Sequence, residues 1–179
     1  QAFFAEGIYE LNKLHSIIEY YNSINPDSVE DNYFSDNFGN KFFDYKNSKL
    51  IGYIREDIER NRYELTPKEY AILLASLIYS IDKTANTVGH FDAYIKKEIV
   101  YHPLSLKLIK PLEPKMVEIH KEDSNMLARR IIADVAYVDP PYNSRQYSRF
   151  YHIYENLVEW KKPELFGVAM KPKAQNMSA

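Results

Sequence analysis

The stretch Ala133-Asp134-Val135-Ala136-Tyr137-Val138-Asp139-Pro140-Pro141-Tyr142 decides how this chain is read. Its first six residues are a β-rich apolar run, which predicts a strand over 133–138. The run stops abruptly at Asp139-Pro140-Pro141-Tyr142. Two consecutive prolines fix φ and remove two backbone N–H donors, leaving a rigid turn whose carbonyls are free to accept. Asp139 adds a carboxylate acceptor and Tyr142 a flat ring. A carboxylate, a free carbonyl and a stacking ring suit a planar group that bears an amine, such as a nucleobase taken out of its stack. In open α/β sheets, ligands bind beyond the carboxyl ends of the strands, where this turn would lie. A given tetrapeptide arises by chance in a chain of this length on the order of once in a thousand, so the motif carries weight against an ordinary Asp-Pro turn.

Working outward, Met116–His120 reads as another strand, Ser124–Arg130 as a short helix, and Arg145–Lys161 as a helix with Tyr147, Phe150, Tyr151, Tyr154, Leu157 and Val158 on one face. Strand–helix–strand–helix order predicts a piece of parallel α/β sheet. Two or three strands are too few to cover their own faces, so this sheet reads as partial. Before it, Pro103, Pro111 and Pro114 with Lys107, Lys110 and Lys115 mark a linking segment, with a short strand at 104–109. The upstream part reads as helical. Apolar spacing predicts helices over Phe3–Asn22 and Ser48–Arg62, with a long turn-rich connection over 22–48. Thr66-Pro67-Lys68-Glu69 is a capping box with proline at the first helical position, opening a helix through Ile81. Residues 82–97 are polar and irregular. The division is then a mostly helical region at 1–100, a linking segment at 101–115 and a partial α/β region at 116–179.

Composition excludes much else. The 179 residues include 45% hydrophobic and 27% charged residues, enough for a packed core rather than a disordered chain. No cysteine is present, which excludes disulfides and thiolate metal sites. The five glycines, at 7, 39, 52, 89 and 167, are too far apart to build GxGxxG, GxxxxGK or GxSxG. The five histidines show no paired spacing, so no metal site is expected. No 18-residue apolar run suggests a spanning helix and no secretory leader is visible. Net charge is −2, but residues 1–64 hold 7 Lys/Arg against 12 Asp/Glu and residues 65–179 hold 16 against 13. A nucleic-acid surface therefore belongs in the second part, with Lys83, Lys96, Lys97, Lys107 and Lys110 as phosphate candidates, unless these lysines are simply a solvated face.

The stretch from Val135 to Tyr147 resembles the catalytic motif of adenine-specific DNA methyltransferases. The following NSRQYSRFYHIYENLVEW (143–160), and the upstream LASL, DKTANT and AYIK stretches, are similar to a restriction-modification subfamily of these enzymes. The resemblance runs from about Tyr33 to Pro172. It implies a Rossmann-like α/β methyltransferase sheet carrying a large inserted helical region, S-adenosylmethionine as cofactor, and duplex DNA with a flipped adenine as substrate. Asp139 and the Pro140 carbonyl would accept from the target amine, within the motif closed by Pro141 and Tyr142, whose ring would stack on the base. Asp123, with Glu122 as alternate, would bind the cofactor's adenine, although an acidic pair there equally suits a helix N-terminus. Lys96, Lys97, Arg145 and Gln146 would contact DNA. A bacterial cytoplasmic setting, no membrane and a cognate restriction endonuclease are implied as well. The family's Gly-rich cofactor loop is absent, so the chain reads as an internal fragment, with activity on its own open to question. An RNA adenine methyltransferase and an inactive DNA-binding or interaction module are the alternatives. A protein-amide enzyme is disfavoured, because those carry Asn where Asp139 stands.

Overall fold

The computed structural model describes residues 7–111, 118–120, 122–139 and 147–173. Four helices make the body: α1 (Leu11–Ser23), α2 (Tyr33–Phe38), α3 (Tyr45–Arg60) and α4 (Pro67–Asp82). Short 3-10 turns at Pro26–Ser28 and Arg62–Glu64 join them. A short α5 (Ser124–Ala128), the broken pair α6 (Tyr147–Phe150) and α7 (His152–Glu159), and a two-stranded antiparallel hairpin, β1 (Leu165–Phe166) with β2 (Lys171–Pro172), follow. No described helix is long and apolar enough to cross a membrane.

The capping box at Thr66 forms as expected: its hydroxyl accepts from Glu69 N at 3.1 Å, and Glu69 Oε2 accepts from Thr66 N at 2.9 Å. Glu69 also receives Glu10 N at 3.0 Å and Lys13 Nζ at 2.9 Å, so the start of α4 caps the start of α1. Burial pushes the Glu69 carboxyl up, but these donors outweigh it and hold its pKa below the ordinary value. The first helix begins at Leu11, later than its apolar stripe predicts. Ile8 is exposed, and only Leu14, Ile18 and Tyr21 of that stripe are buried. Residues 3–6 lie outside the described residues.

The expected long connection at 22–48 is largely structured. Asn32 caps α2, accepting from Phe34 N and Ser35 N, while its own N–H donates to Ser35 Oγ at 2.8 Å. Asp44 caps α3, which starts at Tyr45, three residues before the predicted Ser48. Polar residues within this turn-rich stretch serve as helix caps. The segment's aromatics then fill the core: Phe34, Phe38, Phe42 and Phe43 are fully buried, with Phe34 and Phe38 centroids 4.8 Å apart. Each such ring removes enough apolar surface from water to stabilise the fold by roughly 2–3 kcal/mol.

The linking segment carries no named strand. Residues 102–109 are nonetheless extended, with Leu104 and Leu106 buried in alternation. Side chains replace a partner strand. Asn47 pairs with Leu104 N and His102 O, Asn22 with Leu106 N and O, and the hydroxyls of Ser80 and Ser76 accept from Lys107 N and Ile109 N. These amides and hydroxyls, buried at Asn47, Ser76 and Ser80, satisfy backbone groups that a sheet would otherwise pair.

The expected strands at 116–120 and 133–138, rather than the mixed class itself, need correction. Residues 118–120 and 133–138 form no strand, while 116 and 117 lie outside the described residues. Ile132, Val135, Tyr137 and Val138 are 100%, 86%, 89% and 79% exposed. Both alternating faces of the run are uncovered. Apolar patterning marks a segment able to be a strand, but a strand also needs a neighbour for its N–H and C=O groups, and none is present among the described residues. The described residues are mostly helical with one two-stranded sheet.

Candidate active site around Asp139

Asp139 closes the exposed 131–139 stretch and is itself exposed. Pro140, Pro141, Tyr142, Arg145 and Gln146 lie outside the described residues. Beyond them, the single helix predicted over 145–161 is two helices broken at Tyr151. The break follows from packing: Phe91 N donates to Phe150 O at 2.8 Å, and Tyr151 takes a non-helical conformation as the cap of α7. The inward face also differs from prediction. His152, Ile153, Asn156 and Leu157 are buried, while Val158 is exposed. Tyrosine is amphipathic, and here Tyr151 and Tyr154 sit at the rim rather than inside.

Two fastenings hold α7 on the helical body. At its far end the guanidinium of Arg55, fully buried, donates to Leu157 O at 2.5 Å and Val158 O at 3.4 Å, satisfying C-terminal carbonyls of the helix. Glu59 and Tyr70 complete the Arg55 shell at 2.9 and 3.0 Å. Burial raises the Glu59 carboxyl, but hydrogen bonds from Tyr70 and Arg55 bring it below its ordinary value. Trp160 follows in the left-handed region, φ 49°, its indole N–H donating to Glu56 at 2.8 Å and its ring 5.2 Å from the Arg55 guanidinium. At the near end, Tyr154 OH donates to Asp82 Oδ1 at 2.5 Å, and His152 Nε2 donates to Ala169 O at 2.7 Å, tying the β1–β2 hairpin to α7.

The irregular segment after α4 packs on this near end. Thr87 and Tyr94 form an antiparallel bridge, and Asn86 fixes its base through Phe42 O, Lys41 O and Ile95 O. Tyr94 packs on Phe42, and the His90 ring lies 4.8 Å from Phe150. Asn86 and Tyr94 therefore build the turn. Gly89 at the tip has φ +100°, a conformation that a side chain would strain, and Val88 beside it is exposed. Lys96 and Lys97 are exposed just past the bridge. The structure thus brings the DKTANT and AYIK stretches against the helices that follow the Asp-Pro-Pro-Tyr motif. Asp82, Phe91 and Arg55 are the residues of this arrangement that sequence reading missed, and Tyr154 was read only as part of an apolar helix face. The signal for Asp82 was its position, closing α4 directly before the polar turn.

The acidic pair is placed differently. Asp123 caps α5, accepting from Met126 N at 2.9 Å. Glu122 pairs with Arg130 and lies 3.3 Å from His120 Nδ1. Asp123 is thus the N-cap of α5, with the Glu122 ion pair beside it. A cleft of about 800 Å³ lies between α1, the Asn25–Tyr33 segment, α3 and Trp160, and none of the candidate residues lines it. Among the described residues no cluster of His, Asp or Glu is arranged to hold a metal.

Comparison with known proteins places these features in a family. A family model described as D12 class N6 adenine-specific DNA methyltransferase matches residues 5–178. Among curated proteins, the chain is 38% identical over 133 residues to modification methylase LlaI of Lactococcus lactis subsp. lactis, covering 68% of this chain and 21% of that protein. It is 38% identical over 131 residues to type II methyltransferase M.CviAII of Paramecium bursaria Chlorella virus 1, covering 69% and 39%. It is 35% identical over 128 residues to type II methyltransferase M.NlaIII of Neisseria lactamica, covering 65% and 36%. The matches span between about a fifth and two fifths of these relatives. No solved structure matches the chain.

Proposed function

The chain belongs to the D12 class of N6 adenine-specific DNA methyltransferases, and from that premise we propose that its protein methylates the exocyclic amine of adenine in duplex DNA, as the modification half of a restriction-modification system. The observation that carries this is Asp139-Pro140-Pro141-Tyr142, standing within the matched residues. Asp139 and the Pro140 carbonyl accept the two amine hydrogens, and Pro141 fixes the turn that holds them together. With both N–H bonds so directed, the nitrogen lone pair turns out of the ring's conjugation and is aimed for attack. Tyr142 stacks on the flipped base, which the unpaired adenine needs once it leaves the duplex. Lys96, Lys97, Arg145 and Gln146 contact phosphates or base edges around it. The helical part before residue 100 serves as the recognition region, 101–115 links it, and 116–179 carries the motif. A Rossmann-like sheet incorporating 133–138 would cover the apolar run that is now exposed, and a cognate endonuclease of the same specificity would be the biological partner.

S-adenosylmethionine is the methyl donor of this reading. Asp123, with Glu122 as alternate, would hold its adenine; one oxygen of Asp123 caps α5 and one of Glu122 meets Arg130, and each carboxylate has a second acceptor oxygen. No Gly-rich loop for its methionine part is present in these 179 residues, so what they chiefly supply is the amine side. The test is transfer of labelled methyl from S-adenosylmethionine by the protein that carries these 179 residues, with unmethylated duplex DNA and structured RNA as competing acceptors. DNA is the expected acceptor, and Asp139→Ala is expected to lower the rate on the order of 100-fold or more. Transfer to RNA in preference, or an Asp139→Ala variant as fast as wild type, would refute the proposal.

A further inference from the structure

The linking segment lies along α4 and is held there through its backbone. Lys107 N donates to Ser80 Oγ at 2.9 Å and Ile109 N to Ser76 Oγ at 3.0 Å, so residues 107–109 run antiparallel to α4. Leu104 and Leu106 turn inward, which leaves Lys107 outward, and Lys110 is the next exposed residue. Lys83 stands at the C-terminal cap of α4, three residues past Ser80, with its ammonium 4.6 Å from the centre of the exposed Tyr79 ring. Ser76, Ser80 and Lys83 share one stripe of the helix, at intervals of four and three residues. Lysines distant in sequence are thereby set in one row, in the order Lys110, Lys107, Lys83. By helix and strand rises the row spans roughly 15 Å, the axial length of about four base pairs of duplex.

The charge of this row is uncompensated. Lys83, Lys107 and Lys110 pair with no carboxylate among the described residues, whereas Lys13, Lys46, Arg55 and Arg62 elsewhere in the helical body each have one. Residues 83–110 hold five lysines against Asp92 and Glu98, and Asp92 is paired with Lys171. Asp82, next to Lys83, takes the Tyr154 hydroxyl. Glu19 is exposed one turn before Asn22, which holds Leu106 from α1, so this acid flanks the segment on the α1 side and the lysines mark the α4 side. The helix dipole favours Lys83 where it stands, but Lys107 and Lys110 serve no helix end, and the segment is held by its backbone and its leucines. Like charges in a row repel, and a polyanion of regularly spaced phosphates relieves that repulsion while releasing its own counterions.

We propose that Lys83, Lys107 and Lys110 form a ridge that tracks the phosphates of duplex DNA, so that residues 107–110 contact DNA as well as connect the two parts of the chain. This rests on the methyltransferase reading above, which names the polyanion, and it extends the contact surface from Lys96 and Lys97 along α4.

The experiment measures duplex DNA binding by fluorescence anisotropy over a range of salt concentrations. The protein that carries this chain is compared as wild type, as Lys83→Gln, Lys107→Gln and Lys110→Gln, and as the triple variant. Lys161→Gln, which removes an exposed lysine paired with Glu159, is the control. Each single substitution is expected to reduce the slope of log affinity against log salt by about one, and the triple variant by about three. Affinity of the triple variant at ~0.1 M salt should fall on the order of 10–100-fold, equally for any duplex sequence. At saturating DNA, kcat should stay within about twofold of wild type. Tm should be unchanged, because all three side chains are exposed. An unchanged slope in the triple variant, an equal loss in Lys161→Gln, a loss confined to one duplex sequence, or a loss only where Tm falls would overturn the inference. So would a loss seen with structured RNA and not with duplex DNA. Methyl transfer by wild type separates the failures. Transfer to adenine with an unchanged slope in the variants refutes the ridge alone. A reduced slope without any transfer to adenine refutes the methyltransferase reading and leaves the ridge as a DNA-binding surface.

Discussion

His152 is a buried imidazole set among Phe42 and Phe91, with Nε2 on Ala169 O. Burial disfavours its charged form, so its pKa falls below the ordinary 6.5. The unfolded chain takes up the proton near that ordinary value while the folded chain resists it. The contribution to stability is therefore full above about pH 6.5 and is lost progressively as pH falls below it. Thermal unfolding measured from pH 7.5 to 5.0 should show Tm declining over the lower part of that range, with a shallower decline in His152→Phe. An identical pH slope in wild type and variant would contradict this. Nothing in the sequence separates His152 from the other four histidines. Its role comes from a face of α7 that tyrosine periodicity misassigned, because an amphipathic ring fits a rim as well as a core.

At the level of elements, the places where backbones approach are fixed by small residues and caps. A Cβ at Gly52 would lie 1.9 Å from Asn32 Oδ1, the atom that caps α2. Gly52→Ala must displace that side chain, losing the cap and its bond to Lys49 O. A cost of about 1–2 kcal/mol is expected, a fall in Tm of a few degrees. Unchanged Tm would mean that α2 does not depend on the cap. Elements whose signals are local were legible in the sequence: the capping box of α4, the apolar stripe of α3 and the Asp123-led α5. Helix α2 was not, since six residues are too few to show an apolar period and its cap Asn32 is a residue type equally suited to turns. The strand at 133–138 was legible as a pattern only. Patterning gives the faces of a strand, whereas its existence depends on a neighbour that local sequence does not contain.

Across the whole molecule, the helical body does two jobs for the motif-bearing segment. Asn22, Asn47, Ser76 and Ser80 bind the extended linking segment through its backbone, and Arg55 with Asp82 fastens both ends of α7. Arg55 is the heavier of these supports, being fully buried with four partners. Arg55→Met would take the donors from the Leu157 and Val158 carbonyls, while Glu59 keeps Tyr70 and Arg62, and is expected to cost on the order of 2–4 kcal/mol. Trp160, the single tryptophan of the chain, lies beside Arg55 and should report the change through a shift in its fluorescence. An unmoved emission spectrum and an unmoved Tm would contradict this. The Asp-Pro-Pro-Tyr motif was legible because it is compressed into four consecutive residues. The fastening of α7 was not, because its partners stand 72 to 103 residues apart.

The most direct measurement is the nucleoside composition of duplex DNA of mixed sequence after reaction with S-adenosylmethionine and the protein that carries this chain, read by mass spectrometry beside an Asp139→Ala control. The predicted result is N6-methyldeoxyadenosine as the sole methylated nucleoside, absent from the control. Methylated cytosine, no methylated nucleoside at all, or equal yields with and without Asp139 would contradict the assignment of this motif to the adenine amine.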